Sequence, residues 1–285
     1  MASGSRVPAP LYALGAIASV QVGATVARHL FEFLGPSGTV FLRVAFGGLI
    51  VLAIAHPGRP RLHGTQWRAI LVFGLVVAAM NLMFYQAIAR IPLGIAVTIE
   101  FLGPLAVAIV GSRKVLDFAW AAMAAAGVAI LSFAGGTVTL VGVLFALGAA
   151  VGWACYILMS QRVGRLVPGP NGLAFALVVG GLALLPFGVA GAGGRLLEPR
   201  NLLMSMLVAI LSTAIPFSLE FAALRRLSSQ VFGILMSLEP AMGALAGFVF
   251  LAQHLSPGDL LAIVLVTVAS VGATLGSRRE GLARS

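Results

Sequence analysis

Apolar runs of bilayer length follow one another along this chain with hardly a gap, and no other feature constrains its fold as much. A helix needs ~20 mostly apolar residues to cross a hydrocarbon core. Runs of that kind cover about residues 10–30, 36–55, 67–88, 91–112 and 117–135, then 138–161, 170–191, 202–223, 227–251 and 258–276. Barrel strands would alternate in polarity over ~10 residues, and that alternation is absent. The expectation is an all-α polytopic membrane protein with ten transmembrane helices. Only 9% of its 285 residues are charged, against about 25% in a soluble domain. The surface is therefore meant for lipid.

The formal net charge of +10 would suggest nucleic acid in a soluble protein. Here the basic residues lie between apolar runs and read as topology signals. With the N-terminus inside, thirteen fall on the cytoplasmic side: Arg6, Arg59, Arg61, Arg68, Arg113, Lys114, Arg162, Arg165, Arg225, Arg226, Arg278, Arg279 and Arg284. Arg28, Arg90, Arg195 and Arg200 fall on the other. Both termini are expected in the cytoplasm. Arg6 before an apolar run resembles a signal peptide, but the internal repeat makes that run a structural element. The lone cysteine, Cys155, allows no intrachain disulfide.

The repeat is visible in two stretches that align without a gap. "ARIPLGIAVTIEFLGPLAVAIVG" (residues 89–111) matches "RRLSSQVFGILMSLEPAMGALAG" (residues 225–247), with Arg90 on Arg226, Pro104 on Pro240 and Gly111 on Gly247. Five helices per half is an odd number, so the halves, residues 1–136 and 137–285, must lie in opposite orientations. Secondary transporters use such inverted repeats, with sites near the midplane between them. Gly148-x-x-x-Gly152 and Gly243-x-x-x-Gly247 are spaced for close helix approach.

Polar residues inside the runs point to a pathway. Glu100 and Glu239 fall near the middle of their spans, where a charge costs at least ~2.5 kcal/mol. A proline follows each: Pro104 removes the i+4 donor of Glu100's carbonyl, and Pro240 that of Met236. Free carbonyls beside a carboxylate suit a proton, a cation or an ammonium group. Arg43 either pairs with a glutamate, the default for a membrane arginine, or receives a substrate carboxylate. Glu220 either joins the pathway or snorkels towards a basic neighbour. Gln21, Asn81, Tyr85, Trp153, Tyr156, Ser212, Thr213 and Ser237 are candidate cavity residues, with bonding across helices as the plain alternative. His29, His56, His63 and His254 lie near span ends without metal-ligand spacing, so no metal or cofactor is expected. Neither a P-loop nor a catalytic constellation is present, so neither an enzyme nor an ATP-driven pump is expected.

Four segments carry a resemblance: "ASVQVGATVARHLFEFLGPSGTVFLRVAFGGL", "MNLMFYQAIARIPLGIAVTIEFLGPLAVAIVGSRKVLDFAW", "LGAAVGWACYILMSQRVG" and "LSTAIPFSLEFAALRRLSSQVFGILMSLEPAMGALAGFVFL". They closely resemble the bacterial threonine/homoserine exporters, in the EamA branch of the drug/metabolite transporter superfamily. The resemblance implies two inverted EamA repeats and inner-membrane export of small neutral amino acids by proton exchange. It carries pathway positions onto Gln21, Arg43, Asn81, Tyr85, Glu100, Trp153, Tyr156, Ser218, Glu220 and Glu239. The chain departs from the family at Phe217, where a tyrosine is expected, and at Val22, where glycine is common. Partners are then an amino-acid substrate, protons and the bilayer, in a monomer or homodimer with no nucleic acid and no ATPase subunit. The alternatives are export of other metabolites, such as aromatic amino acids or cationic drugs, or a scaffold or channel without turnover.

Overall fold

The computed structural model describes residues 8–56, 62–109, 115–133, 138–167, 170–224, 226–227 and 229–283. Described elements are α1 (Ala9–Ala55), α2 (Gly64–Ile88), α3 (Leu93–Glu100), α4 (Leu102–Ile109), α5 (Val115–Phe133), α6 (Leu140–Leu166) and α7 (Asn171–Ala192). A 3₁₀ turn (Gly193–Leu197) leads to α8 (Pro199–Ala209), a π-helical turn (Ile210–Ala214) and α9 (Ile215–Leu224). Then come α10 (Ser229–Met236), α11 (Glu239–Leu251) and α12 (Pro257–Ala283). Local chemistry sets several starts. Thr139 Oγ1 accepts from the Gly142 amide at 3.2 Å at the head of α6. Asp259 reaches back to the Ser256 amide at 2.8 Å at the head of α12.

Seven stretches among the described residues are long and apolar enough to cross a membrane, and Leu93–Val107 and Phe118–Ile130 are shorter apolar helices. The expected first two spans follow each other without a loop and meet at Gly35. Gly35 has φ 62° and ψ 171° inside α1, and Pro36 follows it. That backbone region belongs essentially to glycine. A straight helix would separate residues 23 and 47 by about 36 Å. Yet Gly23 abuts Ser212 and Gly47 abuts Thr213. The chain therefore reverses at Gly35, and α1 is a hairpin of two limbs, residues 9–34 and 36–55.

α1 packs along α7 and also meets α8, the π turn and α9; α2 packs on α6, α3 on α11 and α5 on α12. Lipid is as apolar as leucine, so close backbone approach rather than water exclusion drives this association. The two spaced glycine pairs serve it: Gly148 and Gly152 seat Met83 and Met80 of α2, while Gly243 and Gly247 face Val97 and Leu93 of α3. The first limb of α1 contributes Ala13, Ala16 and Ile17 to the core at 0–1% exposure, so this run is built into the bundle.

Candidate functional site

Both expected helix breaks are present. α3 stops at Glu100, Phe101 turns, and α4 starts at Leu102 with Pro104 in its first turn. The Phe101 amide still donates to Val97 O at 3.0 Å and Leu105 to Phe101 O at 3.3 Å, but Pro104 has no N–H for Glu100's carbonyl. In the second half, α10 ends at Met236 and α11 begins at Glu239, with Pro240 in its first turn. Leu93 lies by Gly247, Gly94 by Ala244 and Val97 by Gly243, so α3 and α11 run antiparallel. One further turn along that crossing brings Glu100 to Glu239 and Pro240. Both carboxylates are buried, at 9% and 8% exposure. Glu239 lies close enough to Glu220 and Glu100 for the charges to repel.

Arg43 comes from the second limb of α1. Its guanidinium donates to Asn81 Oδ1 on α2 and, at 3.4 Å, to the Ser212 carbonyl. It stands 5.5 Å from the centre of the Tyr85 ring, an arrangement that favours the cation. Asn81 is held in turn by donating to Val77 O at 2.8 Å. The default pairing with a glutamate is not what forms: among the described residues, Arg43's hydrogen-bond partners are neutral. Its charge acts on Glu100 from beyond contact.

The acceptor on Ser212 exists for a reason that hydropathy does not reveal. In the π turn the Ile215 amide bonds to Ile210 O, which deprives the Leu211 carbonyl of its usual i+4 donor. Pro216, four residues after Ser212, deprives the next carbonyl too. Ser19 Oγ donates to Leu211 O at 2.7 Å and Arg43 takes Ser212 O. The two limbs of the α1 hairpin thus grip the two orphan carbonyls. Ser19 and Pro216 are the residues that sequence reading missed. The signal was Pro216 itself, inside an apolar run. The side chains of Ser212 and Thr213, expected in a cavity, instead face Gly23 and Gly47.

Aromatic and polar neighbours complete the centre. Trp153 on α6 meets Phe101 edge-on, with ring centres 5.5 Å apart, at the first break. Tyr156 lies 5.3 Å from Phe73 and within reach of the Glu220 charge. Gln21 is buried beside Gly243, and among the described residues its Oε1 has no hydrogen-bond partner. Ser218 Oγ donates to Ala214 O at 2.8 Å. Ser237 does not open on this centre: its hydroxyl bonds Gly233 O and Ser270 Oγ, each at 3.0 Å. As for the expected snorkelling of Glu220, Arg226 is engaged with the Tyr12 hydroxyl at 3.5 Å, and Arg225 lies outside the described residues, as does the side chain of Phe217.

Apolar helices around carboxylates buried at two helix breaks are the build of a membrane transporter. The chain belongs to the EamA-like transporter family, whose model matches residues 7–135 and again 140–275. It is 43% identical over 270 residues to the threonine/homoserine exporter RhtA of Escherichia coli strain K12, covering 94% of this chain and 91% of that one. The same-named protein of Salmonella typhimurium strain LT2 is 42% identical over 273 residues, covering 95% and 92%. Protein PecM of Dickeya dadantii is 26% identical over 237 residues, covering 76% and 77%. A solved crystal structure shares the fold with a TM-score of 0.61 at 22% identity, over 95% of this chain and 98% of that one.

Proposed function

We propose that this chain exports small neutral amino acids of the threonine and homoserine kind across the bacterial inner membrane, in exchange for protons. The observation that carries the reading is Arg43: a half-buried cation held in place by Asn81 and Ser212 O, with no carboxylate in contact among the described residues. Its charge is available to an α-carboxylate, and Glu100 nearby suits the α-ammonium. Facing the cytoplasm, an ionised carboxylate takes the ammonium group. Facing outward, a proton from outside replaces the substrate on that carboxylate, and the proton travels in as the site turns back. Coupling requires the two orientations to bind substrate and proton differently.

Two inverted five-helix halves, residues 1–136 and 137–285, fit this scheme. Support comes from the double match to the family model, which divides the chain at residues 135–140. The helix pairing also supports it. Exchanging the halves maps the α3–α11 and α5–α12 contacts and the pairing of α1's second limb with α7 onto themselves. The α2–α6 contact then exchanges with that between α1's first limb and α8. Positive-inside counting puts both termini in the cytoplasm.

Threonine and homoserine counterflow in proteoliposomes, with and without a pH gradient, tests the reading. Saturable exchange that rises when the outside is acid is the expected result. Absence of exchange for either substrate overturns it, and exchange indifferent to the gradient removes the proton.

A further inference from the structure

Gln21 is a polar side chain that the exchange scheme leaves unused. It is 3% exposed, and its Oε1 has no hydrogen-bond partner among the described residues. A buried acceptor without a donor costs free energy, and few persist in native proteins. A glutamine that only joined elements would bond across them. Gln66, Gln86 and Gln253 each do so, to Leu166 O at 2.7 Å, Ser37 Oγ at 3.0 Å and the Leu93 amide at 2.9 Å. Two neighbours fix where the Gln21 oxygen lies. A Cβ built on Gly243 of α11 would stand 3.3 Å from it and 3.1 Å from Val97 of α3, so the glycine leaves the amide its space. Glu239 precedes Gly243 by four residues and Glu100 follows Val97 by three, spacings that share a helix face. At 1.5 Å per residue, each acid is about one turn, roughly 4.5 to 6 Å, along its helix from the amide. On the same limb of α1, Gly23 abuts Ser212, whose carbonyl Arg43 holds. The orphan oxygen thus lies at the edge of the centre formed by Arg43 and the two glutamates.

With the α-carboxylate on Arg43 and the α-ammonium on Glu100, the side chain of the substrate is left to be recognised. Threonine and homoserine each carry one hydroxyl there, and a hydroxyl is the donor that a lone amide oxygen lacks. We propose that Gln21 is a specificity residue of this transporter, its Oε1 accepting a hydrogen bond from the side-chain hydroxyl of the substrate. The hydroxyl sits on the β-carbon of threonine and the γ-carbon of homoserine, and the rotatable side chain of glutamine follows the difference. This rests on the amino-acid reading above and adds the group that reads the side chain.

α-Aminobutyrate tests the assignment, because it is what either substrate becomes when hydrogen replaces the hydroxyl. In proteoliposomes loaded with labelled threonine, external threonine, homoserine and α-aminobutyrate should all drive counterflow. α-Aminobutyrate should need a roughly ten- to hundredfold higher concentration, the worth of one hydrogen bond to an otherwise unmet buried acceptor. Gln21→Met keeps the length of the side chain and removes the acceptor. It should weaken threonine and homoserine until α-aminobutyrate is no longer at a disadvantage. Gln21→Asn keeps the amide but draws it back by one carbon, so it should weaken threonine more than homoserine, whose hydroxyl reaches further. If wild-type protein takes α-aminobutyrate as readily as threonine, or if the disadvantage survives in Gln21→Met, recognition by Gln21 is overturned and amino-acid export stands. Should Gln21→Met fail to reach the membrane, Gln21→Asn decides, and equal weakening of the two substrates overturns the assignment. If neither threonine nor homoserine exchanges in the wild type, both readings fail.

Discussion

The two helix breaks share a proline position but not an electrostatic setting. In the first, Glu100 is the last residue of α3, at a helix C-terminus. That end carries partial negative charge and disfavours a carboxylate. In the second, Glu239 opens α11, at the end that favours one. Their neighbours differ too: Glu100 feels the Arg43 cation, whereas Glu239 faces the carboxylates Glu220 and Glu100. One repeat unit has thus been given two chemistries by moving an acid three residues, about one turn, relative to its proline. The teaching is that the halves need not share duties. On the proposed function, Glu100, beside the only arginine expected well inside a span, is the acid assigned to the substrate and the proton, and Glu239 the one assigned to the helix crossing.

Glu100→Gln gives the largest expected effect. It should abolish stimulation by the pH gradient, a loss on the order of a hundredfold for a proton-transferring group, while the protein still reaches the membrane. An equal loss in Glu239→Gln would break the contrast between the halves. Arg43→Lys comes next. Lysine keeps the charge but not the fork that spans Asn81 and Ser212 O. The apparent affinity for threonine should fall about tenfold or more, as for a charge-assisted hydrogen bond, while an amine analogue lacking the carboxylate should compete as before. Pro216→Ala should restore an N–H to the Ser212 carbonyl and draw it away from Arg43. The helix gains stability by an amount up to the ~3 kcal/mol that an interior proline costs, seen as a higher unfolding temperature in detergent, and threonine affinity falls severalfold. A rise in stability with unchanged affinity would show that the carbonyl does not position Arg43. The smallest effect belongs to the stability of Glu239→Gln, which should lose the ~0.3–1 kcal/mol of a carboxylate at a helix N-terminus. Glu100→Gln, at the opposite kind of helix end, should show no such loss. A thermal shift of the same sign and size in both variants would erase the distinction.

Much of this was legible from residues alone. Hydropathy marks the apolar runs, because every backbone group in lipid must bond within its own helix. Pro104 and Pro240 mark the breaks, because a missing N–H is a covalent property that no tertiary context restores. Glu100 and Glu239 stand out at once in a chain so poor in charge. Less legible was how tightly the first two runs are joined: they are the two limbs of the α1 hairpin, and the chain turns between them at the single residue Gly35. Ser19 and Ser237 look alike in sequence. One grips the π turn and the other is occupied by Ser270.

What the sequence by itself determined, then, is where the apolar runs lie, where the two prolines break them and which acids lie at the breaks. These follow from properties each residue carries wherever it is placed. The tertiary structure decided who meets whom. Arg43 lies 38 residues from Asn81 and 169 from Ser212, and Ser19 lies 192 from Leu211. A hydrogen bond is selected by distance and direction, and those are set only when the helices pack. For that reason the partners of Arg43 proved to be an amide and a carbonyl freed by a proline rather than a glutamate, which the sequence made the default.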